Sequence, residues 1–569
     1  MNSPEQSQSE DVTHWLDRFF EHYYRSNPVS ATFIGEHRFD PWLPDYSEAA
    51  VDDAKARVAT LLSESSGLSL DELTPGERHD IRLAQGALRI QDWELSARHF
   101  HRGNPSLYTG EAVFGLISLL LTDYAPLRDR IAAATERLEA TPRLLEQAKD
   151  NVDAAPSSWT ERAIRECEGA LVLLDQGLPK FALDQAMDSA SFAPSVARAR
   201  AAFEEFQAYL ENDLRDRERD EVAVGEEALA LHLREGHFLE EDAAEIERYA
   251  RAELAEATAA LGERAREFGT DSPEAVLARL KTHRPSAEDY ESRYGQFWEE
   301  ARRLAALKGL LTWPDFPIRY TERPAWVRDA APYLYFLFYR SPASRDRPTI
   351  HDYLIAPLDR TQRMDEQQSF LEAHNDSVIK LNHVVHHGGI GHHVQNFHAF
   401  RSRSRIGRMA AVDGASRIAL LCGGTMAEGW ACYATDLMSE AGFLTPLERY
   451  AELPGRARMC ARAIVDVRLH EGRWTLEHAA RFYEEHALMP AAAARSEAVK
   501  NSMFPGAAVM YLMGRDAIHR LRADMAAIEG RHFSLKRFHD TFLSYGSIPV
   551  SLIATAMREG GGLAAGVTP

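Results

Sequence analysis

The sequence predicts a mainly α-helical protein with a small β-sheet. Apolar residues recur at spacings of three and four through most of the first 310 positions, which is typical of helices that bury one face. Between Trp313 and Pro357 the pattern changes to short runs rich in aromatic and β-branched residues, bounded by prolines, which indicates strands. Helical spacing then returns at Asp365 and continues through a cluster of histidines.

The chain is too long for one hydrophobic core. Its 569 residues exceed the roughly 250 to 300 residues that a single core usually serves, so two lobes are expected. Its 45% hydrophobic and 27% charged residues match an ordinary globular protein. We predict a disordered N-terminus at 1–10, a helical N-terminal lobe at 11–310, a site-bearing lobe with the small sheet at 311–558, and a flexible tail at 559–569.

The first helix is predicted where apolar side chains from Val12 to Tyr23 share one face, and Pro28 ends it. Thr74 and Pro75 suit the N-cap and the first turn of a later helix. Further helices are predicted at 48–63, 75–99, 127–153, 158–174, 194–212, 226–236, 240–268, 286–307 and 365–374.

The strand-like segments read FPIRY, YLYFLFY and HDYLIAP, and they predict a small sheet or a hairpin. An exposed edge at Tyr333–Phe338 or Tyr353–Ala356 would suit the binding of an extended substrate backbone.

Composition excludes several partners. A formal net charge of -21 argues against nucleic acid, because proteins that bind the phosphate backbone carry a basic surface. The most apolar run, Ala112–Leu121, is about half the roughly 20 residues of a membrane span, so it predicts a buried helix and no membrane contact. Four scattered cysteines and a polar, acidic start predict a cytoplasmic protein. The oligomeric state stays open.

Six of the chain's 23 histidines lie between His383 and His398, in the stretch LNHVVHHGGIGHHVQNFHAF. Imidazoles are the commonest protein ligands of metal ions, and a catalytic zinc usually takes three protein ligands and keeps one position for water. The cluster therefore predicts a metal site.

Helix geometry leaves the ligand set open. His383 and His387 lie at i and i+4 and can chelate one ion directly, whereas His386 and His387 point about 100° apart. His386 and His392 are six residues apart, about 600° of rotation, so only a local bulge brings them together. The three glycines of HHGGIGHH supply the backbone freedom for such a bulge.

The stretch HHGGIGHHVQ is followed by AEGWACYATDLMSE, in which Glu428 lies 36 residues after His392. Together they resemble the bacterial domain-of-unknown-function family numbered eight hundred and eighty-five, whose pattern HExxPGHHLQ and EGWxLYxE relates it to gluzincin metallopeptidases. Stretches at 462–475, 505–514 and 538–553 resemble later motifs of that family. The resemblance implies a large helical gluzincin-like body, with the small sheet beside the metal-binding helix.

The resemblance further implies that His386, His392 and Glu428 hold a metal, with His393 and His383 as alternative ligands. Zinc is the expected ion, and iron or manganese is the alternative. In gluzincins the residue after the first histidine is a glutamate that acts as general base, and the matching position here is His387. That residue is interpreted as a substitute base, a further ligand or a remnant of lost catalysis.

Other candidates surround this centre. Tyr511 is a candidate oxyanion donor, and His470 is a further catalytic candidate. Arg462 and Lys500 are candidates for binding a substrate carboxylate, although Arg462 and Asp466 also fit an i, i+4 ion pair on a helix.

The leading hypothesis is a divergent zinc-dependent metallohydrolase that cleaves an amide or related bond of a small peptide-like substrate. One alternative is a non-haem iron or other redox or lyase enzyme, because two histidines and a carboxylate also form that kind of site. Another is a family member that binds metal without catalysis.

Overall fold

The computed structural model describes residues 4–68, 73–188, 192–334, 343–409 and 423–559. It confirms the mainly α-helical architecture with a small sheet. Before the first strand the helices are α1 (Pro4–Ser26), α2 (Pro28–Ile34), α3 (Glu48–Ser65), α4 (Pro75–Ser96), α5 (Pro105–Leu120), α6 (Leu127–Asn151), α7 (Ser157–Val172), α8 (Leu178–Asp184), α9 (Ala193–Tyr209), α10 (Glu226–Leu231), α11 (Ala243–Ala265), α12 (Pro273–Leu280) and α13 (Tyr290–Lys308).

The second part of the chain contains both strands and the remaining helices. In order these are β1 (Ile318–Glu322), α14 (Ala325–Arg328), β2 (His351–Ile355), α15 (Met364–Ala373), α16 (Asp376–Val378), α17 (His392–Ala399), α18 (Gly424–Glu440), α19 (Pro446–His470), α20 (Leu476–Ala487), α21 (Ala491–Met503), α22 (Met510–Glu529), α23 (Leu535–Ser544) and α24 (Val550–Arg558). Segments of π-helix lie at Leu173–Gly177, Leu210–Leu214, His232–Gly236 and Ile379–Gly388.

The chain divides into two compact units, and the first contains Met1–Val222 and returns for Arg323–Pro348. Its centre is α5, in which every residue from Pro105 to Leu120 is buried. This confirms the prediction that the apolar run forms a buried helix. Among the described residues, no helix combines the length and apolarity that a membrane span requires.

The second unit contains Ala223–Glu322, Thr349–Ala411 and the chain from Cys422 onward. Its helices α18 and α22 approach closely because glycines face each other, and a Cβ added at Gly514 would lie 2.1 Å from the Thr425 carbonyl oxygen. The predicted boundary near residue 310 differs from this division, because α11 packs against α19 and α13 packs against the π-helical segment Ile379–Gly388, so both helices belong to the second unit.

The sheet consists of β1 and β2, which run parallel with Ile318 opposite His351. The alternative of a hairpin is therefore wrong, because parallel strands require a long crossover connection. The candidate edge at Tyr333–Phe338 lies mostly outside the described residues. The Tyr320 hydroxyl of β1 donates to the His383 carbonyl at 3.1 Å, which places the sheet beside the histidine-bearing helix as predicted.

The start of the chain also differs from prediction. Helix α1 begins at Pro4, so the segment expected to be disordered at 1–10 is largely helical. Proline is favoured in the first turn of a helix, where its missing N–H costs nothing. The predicted tail at 559–569 lies almost entirely outside the described residues.

Candidate metal centre

The histidine-bearing helix is distorted where the glycines occur. Residues Ile379–Gly388 form a π-helix, and α17 then begins at His392. A Cβ added at Gly391 would lie 2.0 Å from the His386 carbonyl oxygen, and one at Gly389 would lie 2.4 Å from that of Val384. Only glycine fits so close a backbone approach. The predicted bulge is confirmed.

Side chains from other elements hold the carbonyl groups that this bulge releases from helical bonding. The Trp298 indole N–H donates to the Gly388 carbonyl at 2.8 Å, and the Trp430 indole N–H donates to the Ile390 carbonyl at 2.9 Å. Buried carbonyl groups without partners would cost free energy, so these two bonds stabilise the distorted backbone.

The bulge brings together the residues that the family resemblance implies. Nε2 of His386 lies 3.3 Å from Oε2 of Glu428, and Nε2 of His392 lies 3.6 Å from the same oxygen. The ring centroids of the two imidazoles are 4.9 Å apart. The three side chains are between 10% and 18% exposed, so the centre is mostly shielded from bulk water while access remains.

These separations fit a tetrahedral zinc ion. With zinc–nitrogen and zinc–oxygen bonds of about 2.0 to 2.2 Å, neighbouring ligand atoms stand about 3.3 to 3.5 Å apart. Oε2 of Glu428 is buried and accepts no well-aligned hydrogen bond, although two imidazole nitrogens face it. A buried carboxylate oxygen normally has a partner, so this arrangement fits a bound cation.

Electrostatics keep the carboxylate ready to bind a cation. Burial raises the pKa of Glu428, but His386 and His392 more than offset that effect and hold the pKa well below its usual range. Burial lowers the pKa of His386, and Glu428 partly opposes this shift. An ionised carboxylate is the form in which glutamate binds a metal ion.

His387 lies within the same cluster. One ligand atom from each of His386, His387 and His392 falls within 4.8 Å of the other two. Nδ1 of His387 is 2.8 Å from the Asn382 carbonyl, which can only accept, so Nδ1 carries the proton and Nε2 has a lone pair. Burial and the neighbouring imidazoles lower the pKa of His387 well below its usual value.

The alternative ligands have other partners. Nε2 of His393 donates to the Phe316 carbonyl at 2.6 Å, and its ring stacks on the Phe316 ring. Nδ1 of His383 lies 2.7 Å from the Tyr353 hydroxyl, which is also 3.5 Å from Nδ1 of His387. Both alternative ligands are therefore engaged by partners other than His386, His392 and Glu428.

Arg462 and Tyr511 lie together. The Arg462 guanidinium is 4.4 Å from the centre of the Tyr511 ring, and its Nε donates to Glu497 at 2.7 Å. Lys500, one turn after Glu497 on α21, helps to lower the pKa of that carboxylate. Arg462 also acts on the metal centre, because its charge contributes to the lowered pKa of His386.

The alternative ion pair between Arg462 and Asp466 is wrong. Asp466 instead accepts the backbone N–H groups of Gly506, Ala508 and Val509, which are the residues leading into α22. His470 donates to the Asn501 carbonyl at 3.0 Å and lies 3.5 Å from Asp466. The structure thus places His470 in a buried structural network, and it does not bring His470 to the three clustered histidines.

Sequence reasoning missed Arg458 and Glu497, and it named Tyr353 only as part of a candidate sheet edge. Arg458 stands one helical turn before Arg462, a spacing that was visible in the sequence. Glu497 gave no signal, because its pairing with Arg462 joins two helices 35 residues apart in the chain.

Comparison with known proteins gives a family and a fold. The family model described as "Bacterial protein of unknown function (DUF885)" matches residues 28–557. No curated protein matches the chain.

Two solved structures resemble this one over nearly their whole length. A "putative lipoprotein of unknown function" from Shewanella oneidensis is 21% identical, with 96% of this chain and 99% of that chain covered and a TM-score of 0.78. A "putative lipoprotein" from Colwellia psychrerythraea is 16% identical, with 97% and 99% covered and a TM-score of 0.78. These likenesses show a shared fold.

Proposed function

The chain belongs to the DUF885 family of bacterial proteins, and we propose that it is a gluzincin-like, zinc-dependent hydrolase of amide bonds in small peptide-like substrates. The observation that carries this proposal is the position of Glu428. Its buried Oε2 lies 3.3 Å and 3.6 Å from the Nε2 atoms of His386 and His392, and these spacings suit ligands of one zinc ion.

In this proposal His386, His392 and Glu428 hold the ion, and the π-helical bulge sets their spacing. Zinc in such a site acidifies water and polarises a carbonyl group. The indole N–H groups of Trp298 and Trp430 keep the bulge in place from two different helices.

His387 is proposed as the general base. The Asn382 carbonyl fixes the tautomer in which Nε2 accepts a proton, and one ring nitrogen of His387 lies within 4.8 Å of ring nitrogens of His386 and His392. In hydrolysis, the water oxygen bonds to the amide carbon and a water proton passes to Nε2 of His387. The carbon–nitrogen bond then breaks, and His387 returns the proton to the leaving nitrogen.

A second candidate function follows from the three clustered imidazoles. If His387 binds the ion as well, the protein supplies four ligands, and a tetrahedral zinc ion would then lack a position for water. Three histidines and one carboxylate would better suit iron or manganese in a site with more than four ligands. The function would then be a redox or lyase reaction.

We also propose the cellular compartment of the protein. Cys167, Cys432 and Cys460 are free, which agrees with the reducing cytoplasm. The two similar solved structures are described as lipoproteins, so the cell envelope is the alternative, and fractionation of the native host distinguishes the two.

The test of function combines metal analysis with an activity assay. The purified protein is stripped with a chelator, reloaded with zinc, iron or manganese, and assayed on a library of short N-acylated peptides. We expect one zinc per chain and zinc-dependent release of new amino groups. Oxygen-dependent turnover with iron alone would contradict the hydrolase proposal and support the second candidate.

Two variants on α18 provide the control. Glu428→Gln removes a proposed ligand, whereas Glu440→Gln changes an exposed acid three turns later that pairs with Arg522. Loss of zinc and activity in Glu428→Gln alone is the expected result. Equal zinc content in both variants would contradict the ligand role of Glu428.

A further inference from the structure

Arg458 on α19 is a desolvated cation without a hydrogen-bond partner for its Nε. This atom is buried and bonds to nothing in the described part of the chain. Burial, followed by the neighbouring charge of Arg462, lowers the pKa of Arg458. A guanidinium in such a position is costly unless an anion pairs with it.

The acid that faces this arginine is already engaged. Glu497 accepts from Nε of Arg462 at 2.7 Å, and its pKa of about 2 keeps it ionised. Arg458, Arg462 and Lys500 are three cations that all help to lower the pKa of this one carboxylate. The nearby Cys432 is neutral, because burial raises the pKa of its thiol.

Arg462 lies close to the proposed metal centre. Cys432 stands one helical turn after the proposed ligand Glu428 on α18, and the charges of both Glu428 and Arg462 act on its thiol. Arg462 also acts on His386. The Tyr511 ring lies against the Arg462 guanidinium and limits its movement.

We propose that Arg458 and Arg462 bind a free carboxylate of the substrate, so that the enzyme cleaves the amide bond next to a C-terminal carboxylate. This inference rests on the proposed hydrolase function. The substrates would be short peptides, cleaved at their last bond, and N-acyl amino acids. Water adds to the acyl carbon, the carbon–nitrogen bond breaks, and a free amino acid leaves with the returned proton.

The chemistry of the two side chains supports a carboxylate. A guanidinium offers a planar fork of N–H groups that matches the two oxygens of a carboxylate. Among the hydrogen bonds of described residues, Glu497 accepts only from Nε of Arg462. The terminal N–H groups of Arg462 can therefore donate to another acceptor. Binding of an anion would supply the partner that the buried Nε of Arg458 lacks.

The first experiment measures binding by calorimetry on the zinc-loaded protein and on the chelator-treated protein. The ligands are N-acetyl-alanyl-alanine and the same compound with a C-terminal amide. We expect the free acid to bind about 10- to 100-fold more tightly, since a hydrogen-bonded charge contributes that much. Equal affinities for the acid and the amide would overturn the proposal. Tighter binding of inorganic phosphate than of the free acid would overturn the assignment of a carboxylate.

The second experiment uses Arg458→Gln, with Arg449→Gln at an exposed position of the same helix as the control. We expect Arg458→Gln to remove the preference for the acid, to leave zinc content unchanged and to raise the melting temperature, because a buried N–H group without a partner is lost. Arg458→Lys should restore part of the preference. A lower melting temperature with an unchanged preference would show a purely structural arginine and overturn the proposal.

The two proposals can fail separately. A preference for the free acid without any hydrolysis would contradict the hydrolase function and support the carboxylate site. Hydrolysis of acid and amide at equal rates would support the hydrolase function and contradict the carboxylate site.

Discussion

The substitution Glu428→Gln tests the ligand set through the stability that zinc confers. Glutamine keeps the size of the side chain but removes the charge that faces His386 and His392. Loss of one of three ligands should weaken zinc binding by at least about 100-fold, because even the loss of a residue that only orients a ligand lowers metal affinity by about 10- to 100-fold. Zinc should then no longer protect the variant from unfolding at concentrations that protect the parent.

The magnitude follows from linkage. Free zinc at 100 times the Kd stabilises the native state by about 2.7 kcal/mol. The second unit contains about 300 residues, and each residue contributes about 2.1 cal/mol/K to the entropy of unfolding. Dividing the stabilisation by this total entropy gives a rise of about 4 °C in the melting temperature of the unit. Differential scanning calorimetry with and without zinc measures the shift. We expect about 4 °C for the parent and less than 1 °C for Glu428→Gln.

The control for this experiment is Glu440→Gln on the same helix, which should keep the full shift. An equal zinc-dependent shift in the parent and in Glu428→Gln would refute the reasoning, because the stabilising zinc would then be bound elsewhere.

Three further predictions concern the bulge, the base and the ion pair. Gly391→Ala should lower the free energy of unfolding by about 1 to 3 kcal/mol and weaken zinc binding, because its Cβ would meet the His386 carbonyl. Gly262→Ala, whose Cβ meets nothing, lies inside α11 and should instead raise the free energy of unfolding by at most about 1 kcal/mol in the same denaturation assay. His387→Glu should raise zinc-dependent peptide hydrolysis by up to about 100-fold, since a carboxylate is the usual base, and unchanged rates at equal zinc content would contradict this. Glu497→Gln should lower the free energy of unfolding at pH 7 by at most about 3 kcal/mol, because the pKa of Glu497 is about 2 instead of 4.5. This difference should be complete above pH 4.5 and should vanish towards pH 2, so a constant difference in urea unfolding across that range would contradict the ion pair.

The helices were predictable because their signals are local. Thr74 and Pro75 begin α4 as expected, and Thr74 forms a capping box with Glu77. The buried α5 followed from its apolar run. The relative direction of β1 and β2 was not predictable, because the residue pattern of a strand is the same in a hairpin and in a parallel pair. Only the long connection between the two strands decides between these arrangements.

The meeting of His386 and His392 was predictable in outline. The spacing of His386 and His392 demanded a bulge, and the glycines between them indicated where it lies. Glu428 was identified through the family resemblance alone, since nothing in its own helix marks it as a ligand. The role of His387 depended on the Asn382 carbonyl, and a hydrogen bond across the π-helix is not visible in the sequence.

The environment of the centre could not be predicted, because it depends on how distant helices pack. Arg462 and Asp466 have the spacing of an ion pair, yet each finds a different partner. His470 is a histidine in a conspicuous motif, and it proves to be buried against the Asn501 carbonyl. The unpaired Nε of Arg458 is visible only once the positions of Glu497 and Arg462 are known.

The most direct test of the ligand set is a crystal structure of the zinc-loaded protein with anomalous diffraction at the zinc absorption edge. We predict one strong peak within about 2.0 to 2.2 Å of Nε2 of His386, Nε2 of His392 and an oxygen of Glu428. A zinc ion bound at another place, or the absence of a peak at these three residues, would contradict the assignment.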